Sequence, residues 1–277
     1  MAKENKEKEE EEKSGTAESK QVEPPRHIVA DYLESFVVTL IMALFGMTFV
    51  IQAVTVPTGS MQNTILIGDY LLVNKFIFTS GGDPLPFLPQ REIRRGDVIV
   101  FKYPGFPHNV AKLEDQGGRP YQINFVKRVI GLPGDKIEIR ASEIYLNDKL
   151  LPEHRVIGEP PSQSAALDTR EFEPREEGDQ PYDVYYLEDM LRGRGSMRDF
   201  EFGAEGRPVV VPEGNYFVLG DSRNQSLDSR YWGFVPRELV VGRAMLIYWS
   251  CDRAASNGSF FGCLTSPRLD RIGKLIR

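Results

Sequence analysis

Histidine is scarce in this chain of 277 residues: there are only His27, His108 and His154. None lies beside a serine or cysteine in a nucleophile motif, so a histidine-based triad has no visible foothold. Cysteine is scarcer, with Cys251 and Cys263 alone. That excludes a zinc finger or ribbon, which needs four closely spaced ligands. No GxxxxGK[ST] stretch occurs, which excludes a phosphate-binding P-loop. Basic charge is in deficit. Lys and Arg number 34 against 40 Asp and Glu, a formal net charge of −6, so there is no general surface for nucleic acid. Long amphipathic helices are few. The spacing of the two cysteines leaves a disulfide and a pair of free thiols equally open; an oxidising compartment would favour the first.

One long apolar run is present. Phe36 to Val54, FVVTLIMALFGMTFVIQAV, carries no charge over 19 residues, about the length that crosses a bilayer core. A buried globular helix would show a polar face. A cleaved signal peptide would have a shorter lead and an A-x-A site. The sequence therefore predicts a single N-terminal transmembrane helix over 35–54. Lys20 and Arg26 precede it, and no Lys or Arg lies between Thr55 and Asn74. The positive-inside rule then puts the N-terminus in the cytoplasm and the rest outside. Residues 1–34, mostly the charged stretch MAKENKEKEEEEKSGTAESKQVEPP, read as a disordered cytoplasmic tail because they lack apolar content.

After the span the period changes. GDYLLVNKF (68–76), GDVIVFKYP (96–104) and GDKIEIR (134–140) each open on a Gly-Asp turn signal and continue with β-branched and aromatic residues. INFVKRVIG (123–131), GNYFVLGD (214–221) and ELVVGRAMLIYW (238–249) add strands. A mostly β chain is expected: an antiparallel β catalytic core over 55–140 and 212–277. The polar, acidic, Pro-containing stretch 141–211 reads as an inserted subdomain, and YYLEDMLRGRG within it is open between a short helix and a strand. Near the C-terminus, Leu269, Ile272, Leu275 and Ile276 fall at helical spacing. Packing against the core is favoured there over contact with a membrane surface.

PTGSM (57–61) sets a serine six residues after the apolar run. Were Ser60 a nucleophile, its proton would need a base, and a desolvated lysine can serve. Alternation in INFVKRVIG puts Lys127 on one face with Ile123, Phe125 and Val129, and Arg128 on the other. Lys75, with Leu71, Val73 and Ile77, and Lys102, beside Val98 and Val100, pass the same test. Alternation alone does not choose among the three, and a strand lysine commonly snorkels instead.

PTGSMQNTILIGDYLLVNKF, RGDVIVFKYP, FVKRVIGLPGD and GNYFVLGDSRNQSLDSRYWGFVP resemble the successive boxes of the bacterial type I signal peptidases, a Ser/Lys-dyad serine peptidase family. They come in the family's order, behind a membrane anchor, and RLDRIG is similar to the C-terminus of many members. The resemblance implies a membrane-anchored serine endopeptidase that removes signal peptides from secreted preproteins. In it Ser60 is the nucleophile and Lys127 the general base, while Ser226 orients the lysine amine. Thr58 and the Ser60 N–H form the oxyanion hole, although many members carry serine where Thr58 stands. Asp228 with Arg230, and Arg128 with Asp221, are the implied ion pairs around the dyad. Gly220 is a position where a side chain would crowd the lysine. Val56, Met61, Ile65, Phe125 and Val126 would line a pocket for small residues at the last and third-last positions of the signal peptide. Many members have tyrosine in place of Phe125, which makes this pocket more apolar.

No metal or organic cofactor is implied. The partners would be preproteins with signal peptides, the lipid bilayer and the secretion translocon, with no nucleic acid. The location would be the cytoplasmic (inner) membrane, with a single span and the catalytic domain on the outer, periplasmic face. Two other readings are weaker. A self-cleaving repressor of the related Ser/Lys type would begin with a DNA-binding helical domain, and a non-enzymatic anchored scaffold would have no use for the serine and the lysine.

Overall fold

A computed structural model of the chain describes residues 28–78, 90–106, 120–159, 166–192, 200–252 and 260–277. Most of the expected N-terminal tail lies outside these residues, as do His27 and His108. Two units are distinguished, 1–45 and 46–277.

The first unit contributes helix α1 (Ile28–Phe45), all of whose side chains are exposed. Residues 28–34, assigned above to the tail, form its first turns. Ile28, Val29, Tyr32 and Leu33 extend the apolar surface. Asp31 stands in the first turn, where the positive end of the helix dipole favours an acid. A π-helical turn, Gly46–Val50, follows. The stretch Ile28–Val50 has 23 residues and a mean hydropathy of 2.0. At about 1.5 Å per residue it is long enough to cross a hydrocarbon core.

The apolar run does not stay helical to Val54. Ile51–Thr55 form strand β1, each residue paired across to β2 (Asp69–Asn74), from Ile51 with Asn74 to Thr55 with Tyr70. There the backbone hydrogen bonds go to a sheet, so the helical part of the predicted span ends at Val50.

The remaining strands follow in chain order: β3 (Val98–Lys102), β4 (Asn124–Gly131), β5 (Lys136–Arg140), β6 (Glu143–Leu146), β7 (Lys149–Leu150), β8 (His154–Glu159), β9 (Asp168–Glu171), β10 (Asp183–Tyr186), β11 (Val209–Val210), β12 (Asn215–Leu219), β13 (Val235–Pro236) and β14 (Val240–Ser250). Seven build the main sheet, in the order β1-β2-β14-β3-β4-β12-β13, every neighbouring pair antiparallel. The mostly β, antiparallel expectation holds. Within the expected insertion, β6, β7 and β11 join β5 in a four-stranded antiparallel sheet. Strand β5 was placed with the core, yet its neighbours are insertion strands. A second, three-stranded sheet, β10-β8-β9, contains one parallel pair, β10 with β8. YYLEDMLRGRG supplies the end of β10 and then helix α2 (Glu188–Leu191).

The Gly-Asp openings share one turn. Gly68, Gly96 and Gly134 take φ of 91°, 87° and 85°, a region open to glycine without steric cost. The next residue's N–H donates back three positions, from Asp69 to Leu66 O, Asp97 to Arg94 O and Asp135 to Leu132 O. Each aspartate in return accepts the N–H of that earlier residue, at 2.8, 2.8 and 2.7 Å. Each carboxylate also meets an arginine: Arg271, Arg91 and Arg95. At Asp69 and Asp135 the turn thereby also ties distant segments together, 202 and 40 positions apart.

The C-terminus departs from the helical spacing read in its sequence. Leu269–Arg271 make a single 3-10 turn, and Leu275 bridges to Leu246 of β14. Of the four spaced residues only Ile276 is buried, while Leu269 and Leu275 are 70% and 61% exposed. Hydrogen bonds with β14 hold the segment: Ile276 N–H donates to Met245 O and Ile247 N–H to Lys274 O.

Helix α3 (Ser229–Trp232) precedes β13, and α4 (Phe260–Thr265) follows β14. Cys263 of α4 forms a disulfide with Cys251. Replacing both cysteines with serine is expected to cost about 2–4 kcal/mol of stability. Denaturant unfolding of the variant and the wild type measures this, and equal midpoints would show that the bond constrains nothing.

Candidate active site

Ser60 lies in the connection between β1 and β2. Its neighbours are fixed by short-range bonds: Gln62 N–H donates to Gly59 O at 3.0 Å and Ile65 N–H to Met61 O at 2.7 Å. From the other side Ser222 N–H donates to Ser60 O at 3.1 Å. Ser60 is 6% exposed. Lys127 lies in β4, between Val98–Lys102 of β3 and β12.

The structure brings the two side chains together. Lys127 Nζ is 2.6 Å from Ser60 Oγ and donates to Val126 O at 3.0 Å. It also lies 5.2 Å from the centre of the Phe125 ring. Lys127 is the only buried lysine among the described residues. Lys102 is exposed, and Lys75, half-buried, spends its amine on Thr48 O at 2.8 Å.

Burial lowers the Lys127 amine from 10.5 to about 8 because desolvation disfavours the ammonium form. Asp228 and Asp221 oppose the shift, and Arg230 adds to it. A buried amine of this kind has a sizeable neutral fraction near pH 8 and is able to accept a proton.

The pair opens onto a groove of about 330 Å³. Its wall includes Val56, Met61, Phe125 and Val126, together with Thr58. Ile65 does not reach it: fully buried, it packs behind Val56 and Met61 in the core with Leu71 and Val100. Its place in the pocket is therefore corrected to a backing role. Gln225 and Leu227, which the sequence did not single out, do line the groove. Both flank Ser226 in a stretch read for its serine.

Ser226 is buried, and its hydroxyl lies beside Asp228, whose carboxylate it helps to hold in the charged form, rather than on Lys127 Nζ, so the lysine-orienting contact is not formed. The recorded partners of Lys127 Nζ are Ser60 and Val126. At Gly220 a Cβ would lie 2.3 Å from Ser226 Oγ and 2.4 Å from Ser60 O, so a side chain would strike the two serines first.

Two buried ion pairs flank Ser60 and Lys127. Arg128 faces away from Lys127 and meets Asp221 bidentately, Nε to Oδ1 at 2.8 Å and Nη2 to Oδ2 at 2.6 Å. Arg230 does the same to Asp228, at 2.7 and 2.9 Å. Burial alone would raise the Asp228 carboxyl, but Arg230 beside it brings the net shift below the ordinary value. Asp228 also accepts the Gly220 N–H at 3.1 Å, which fixes the backbone beneath Ser226.

A third pair had no signal in the sequence. Arg223 meets Glu153, from the insertion, at 2.7 and 2.8 Å. Tyr182 donates to the same carboxylate, and Arg223 Nε donates to Gly220 O. Pairs so distant in sequence are invisible to local pattern. His154, the histidine among the described residues, is engaged with Asp183 and Glu173 O instead.

A groove with a serine in its wall and a buried amine against that serine holds the parts that nucleophilic catalysis by a serine hydrolase needs. Comparison with known proteins carries this further. A family model described as "Signal peptidase, peptidase S26" matches residues 29–249. The signal peptidase I of Aquifex aeolicus is 33% identical over 272 residues, covering 87% of this chain and 96% of that protein. That of Pseudomonas aeruginosa is 32% identical over 263 residues, covering 89% and 79%. A crystal structure of a signal peptidase I from Enterococcus faecalis aligns over 55% of this chain and 97% of its own, with 27% identity and a TM-score of 0.31. The chain belongs to the S26 signal peptidase family.

Proposed function

We propose that this serine endopeptidase removes signal peptides from preproteins with Ser60 as nucleophile and Lys127 as general base. The supporting observation is the 2.6 Å contact between Ser60 Oγ and a buried lysine amine. Neutral Lys127 takes the Ser60 proton as Oγ attacks the scissile carbonyl carbon. The resulting oxyanion is held by the Ser60 N–H and the Thr58 hydroxyl, donors set for charge that develops only on the way to the intermediate. The Lys127 ammonium then gives its proton to the leaving amine, and the C–N bond breaks. The neutral amine next takes a proton from water, whose oxygen attacks the acyl carbon; collapse of that intermediate returns Ser60 as a hydroxyl.

The groove walls, Val56, Met61, Phe125 and Val126, favour small side chains in an extended segment of substrate. Asp221 with Arg128, and Asp228 with Arg230, fix the frame around the dyad. Ile28–Val50 anchors the chain in the cytoplasmic membrane as a single span, with the N-terminus inside and the catalytic unit outside. Ser60 then follows the anchor by ten residues, so the chemistry stays near the bilayer surface, where a signal peptide emerges. The bilayer and the secretion translocon are the partners this placement calls for.

The rate of preprotein cleavage against pH tests the base. The Lys127 amine, at about 8, must be neutral to work. Turnover is therefore expected to fall about tenfold per pH unit below that midpoint and to level off above it. A profile flat from pH 6 to 9, with its only inflection in the carboxylate range, would assign the base elsewhere.

A further inference from the structure

Ser60 and Lys127 come from separate segments, so their contact depends on what holds those segments together. The loop from Val56 to Asp69 is closed at its base, where Val56 N–H donates to Asp69 O at 3.1 Å and Gly68 N–H to Val56 O at 3.3 Å. Ser60 lies on its outgoing limb. The returning limb, 61–67, is gripped by side chains. Arg271, from the RLDRIG stretch, spans Asp69 and the loop: its Nη2 donates to Asp69 Oδ2 at 2.7 Å and to Thr64 O at 3.1 Å. The Asn63 amide pairs both ways with the Leu167 backbone, accepting from N–H at 2.7 Å and donating to C=O at 3.1 Å. Thr64 Oγ1 donates to Asp221 Oδ2 at 2.6 Å.

Thr64 therefore joins two buried carboxylate networks, Asp69 through its carbonyl and Asp221 through its hydroxyl. Asp221 is the partner of Arg128, which follows Lys127 in β4. The residue after Asp221, Ser222, donates its N–H to Ser60 O. The path from hydroxyl to base is short: Thr64, Asp221, Arg128, then the strand carrying Lys127. The geometry points to Thr64 as a positioning residue whose hydroxyl sets the Ser60–Lys127 distance by tying the nucleophile's loop to the base's strand. This rests on the reading of Ser60 and Lys127 as the reacting pair. Thr64 does not line the groove, so its effect falls on turnover rather than on substrate binding. A small displacement of a reacting group is enough to lower rate strongly.

The test uses the full chain in detergent with a preprotein substrate. Thr64→Val keeps the shape and the carbonyl but removes the donor; Thr64→Ser restores it. Thr64→Val is expected to lose roughly tenfold or more in kcat, with KM within about twofold and the melting temperature little changed. Thr64→Ser is expected to recover to within about threefold of wild type. Should Thr64→Val not fold, Thr64→Cys, with its weaker donor, takes its place with the same expected loss. Wild-type kcat in the variant lacking the donor, a loss confined to KM, or a Thr64→Ser variant as slow as that variant would each overturn the proposal. Ser60→Ala is run in parallel. An active Ser60→Ala chain overturns the dyad reading itself, whereas an inactive one beside a fully active Thr64→Val chain overturns only the role of Thr64.

Discussion

Lys127→Met is expected to lose preprotein cleavage by about a thousandfold or more while making the folded chain more stable. Loss of a general base costs about 10²–10⁴ in rate, and in the proposed mechanism the same amine serves both acylation and deacylation. The gain in stability has a separate origin. Burial draws the amine from 10.5 in the unfolded chain to about 8 in the folded one, and that difference is worth about 3 kcal/mol. Between these two values the unfolded chain binds the proton that the folded chain has released. The penalty is therefore fully present below pH 8 and disappears as pH rises through 10.5. Methionine fills a similar volume and carries no such penalty. Its advantage is expected to be greatest near pH 6 and to vanish above pH 10.5. Denaturant unfolding at both ends of that range measures it, beside a cleavage assay. Ser60→Ala is expected to be as inactive, with no comparable pH-dependent gain. Appreciable cleavage by Lys127→Met, or a stability difference that ignores pH, would contradict the assignment of Lys127 as a desolvated base.

Asp221→Ala is expected to destabilise the catalytic unit by about 3–5 kcal/mol. Both side chains of the Arg128–Asp221 pair are 1% exposed, so removing the carboxylate leaves a guanidinium buried without its counter-charge. Arg128 retains Gly96 O and Arg277 O as acceptors at Nη1, but neither replaces the carboxylate that meets Nε and Nη2. For a unit of this size the loss corresponds to a fall in melting temperature of about 10 °C. The contrast is the pair Lys136–Asp148, whose side chains are 40% and 65% exposed. Water already solvates both charges there, and Asp148→Ala is expected to change stability by less than about 1 kcal/mol. Thermal unfolding of the two variants side by side decides the matter. Similar small shifts in both would mean that Arg128 finds water or another partner when Asp221 is gone.

What could be read from the sequence depended on range. The strands with Gly-Asp openings were legible because turn and strand signals lie within a few residues of one another. The mostly β fold followed from them. The apolar run was legible as a membrane-length segment, but its end was not. Ile51–Thr55 is as apolar as a helix end, and only its pairing with β2 makes it a strand. Alternation made Lys127 one candidate of three and could not choose, because exposure depends on which strand lies alongside. Helical spacing misled at the C-terminus, where hydrogen bonds to β14 govern the conformation. The pocket assignment of Ile65 failed in a similar way: an apolar residue near a nucleophile lines a groove or backs it according to packing. Glu153 and Arg223, 70 positions apart, left no local trace at all.

The place of β14 in the main sheet has a consequence for the order of assembly. It lies between β2 and β3, pairing with both, although it comes after all the other described strands in the sequence. The loop bearing Ser60 leads into β2, and Lys127 belongs to the half-sheet of β3, β4 and β12. Until β14 is inserted these halves share no strand pairing, and only contacts such as Thr64 with Asp221 and Ser222 with Ser60 join the serine's segment to the lysine's. The sheet that carries Ser60 and Lys127 therefore closes late, because long-range pairings of this kind are slow to form.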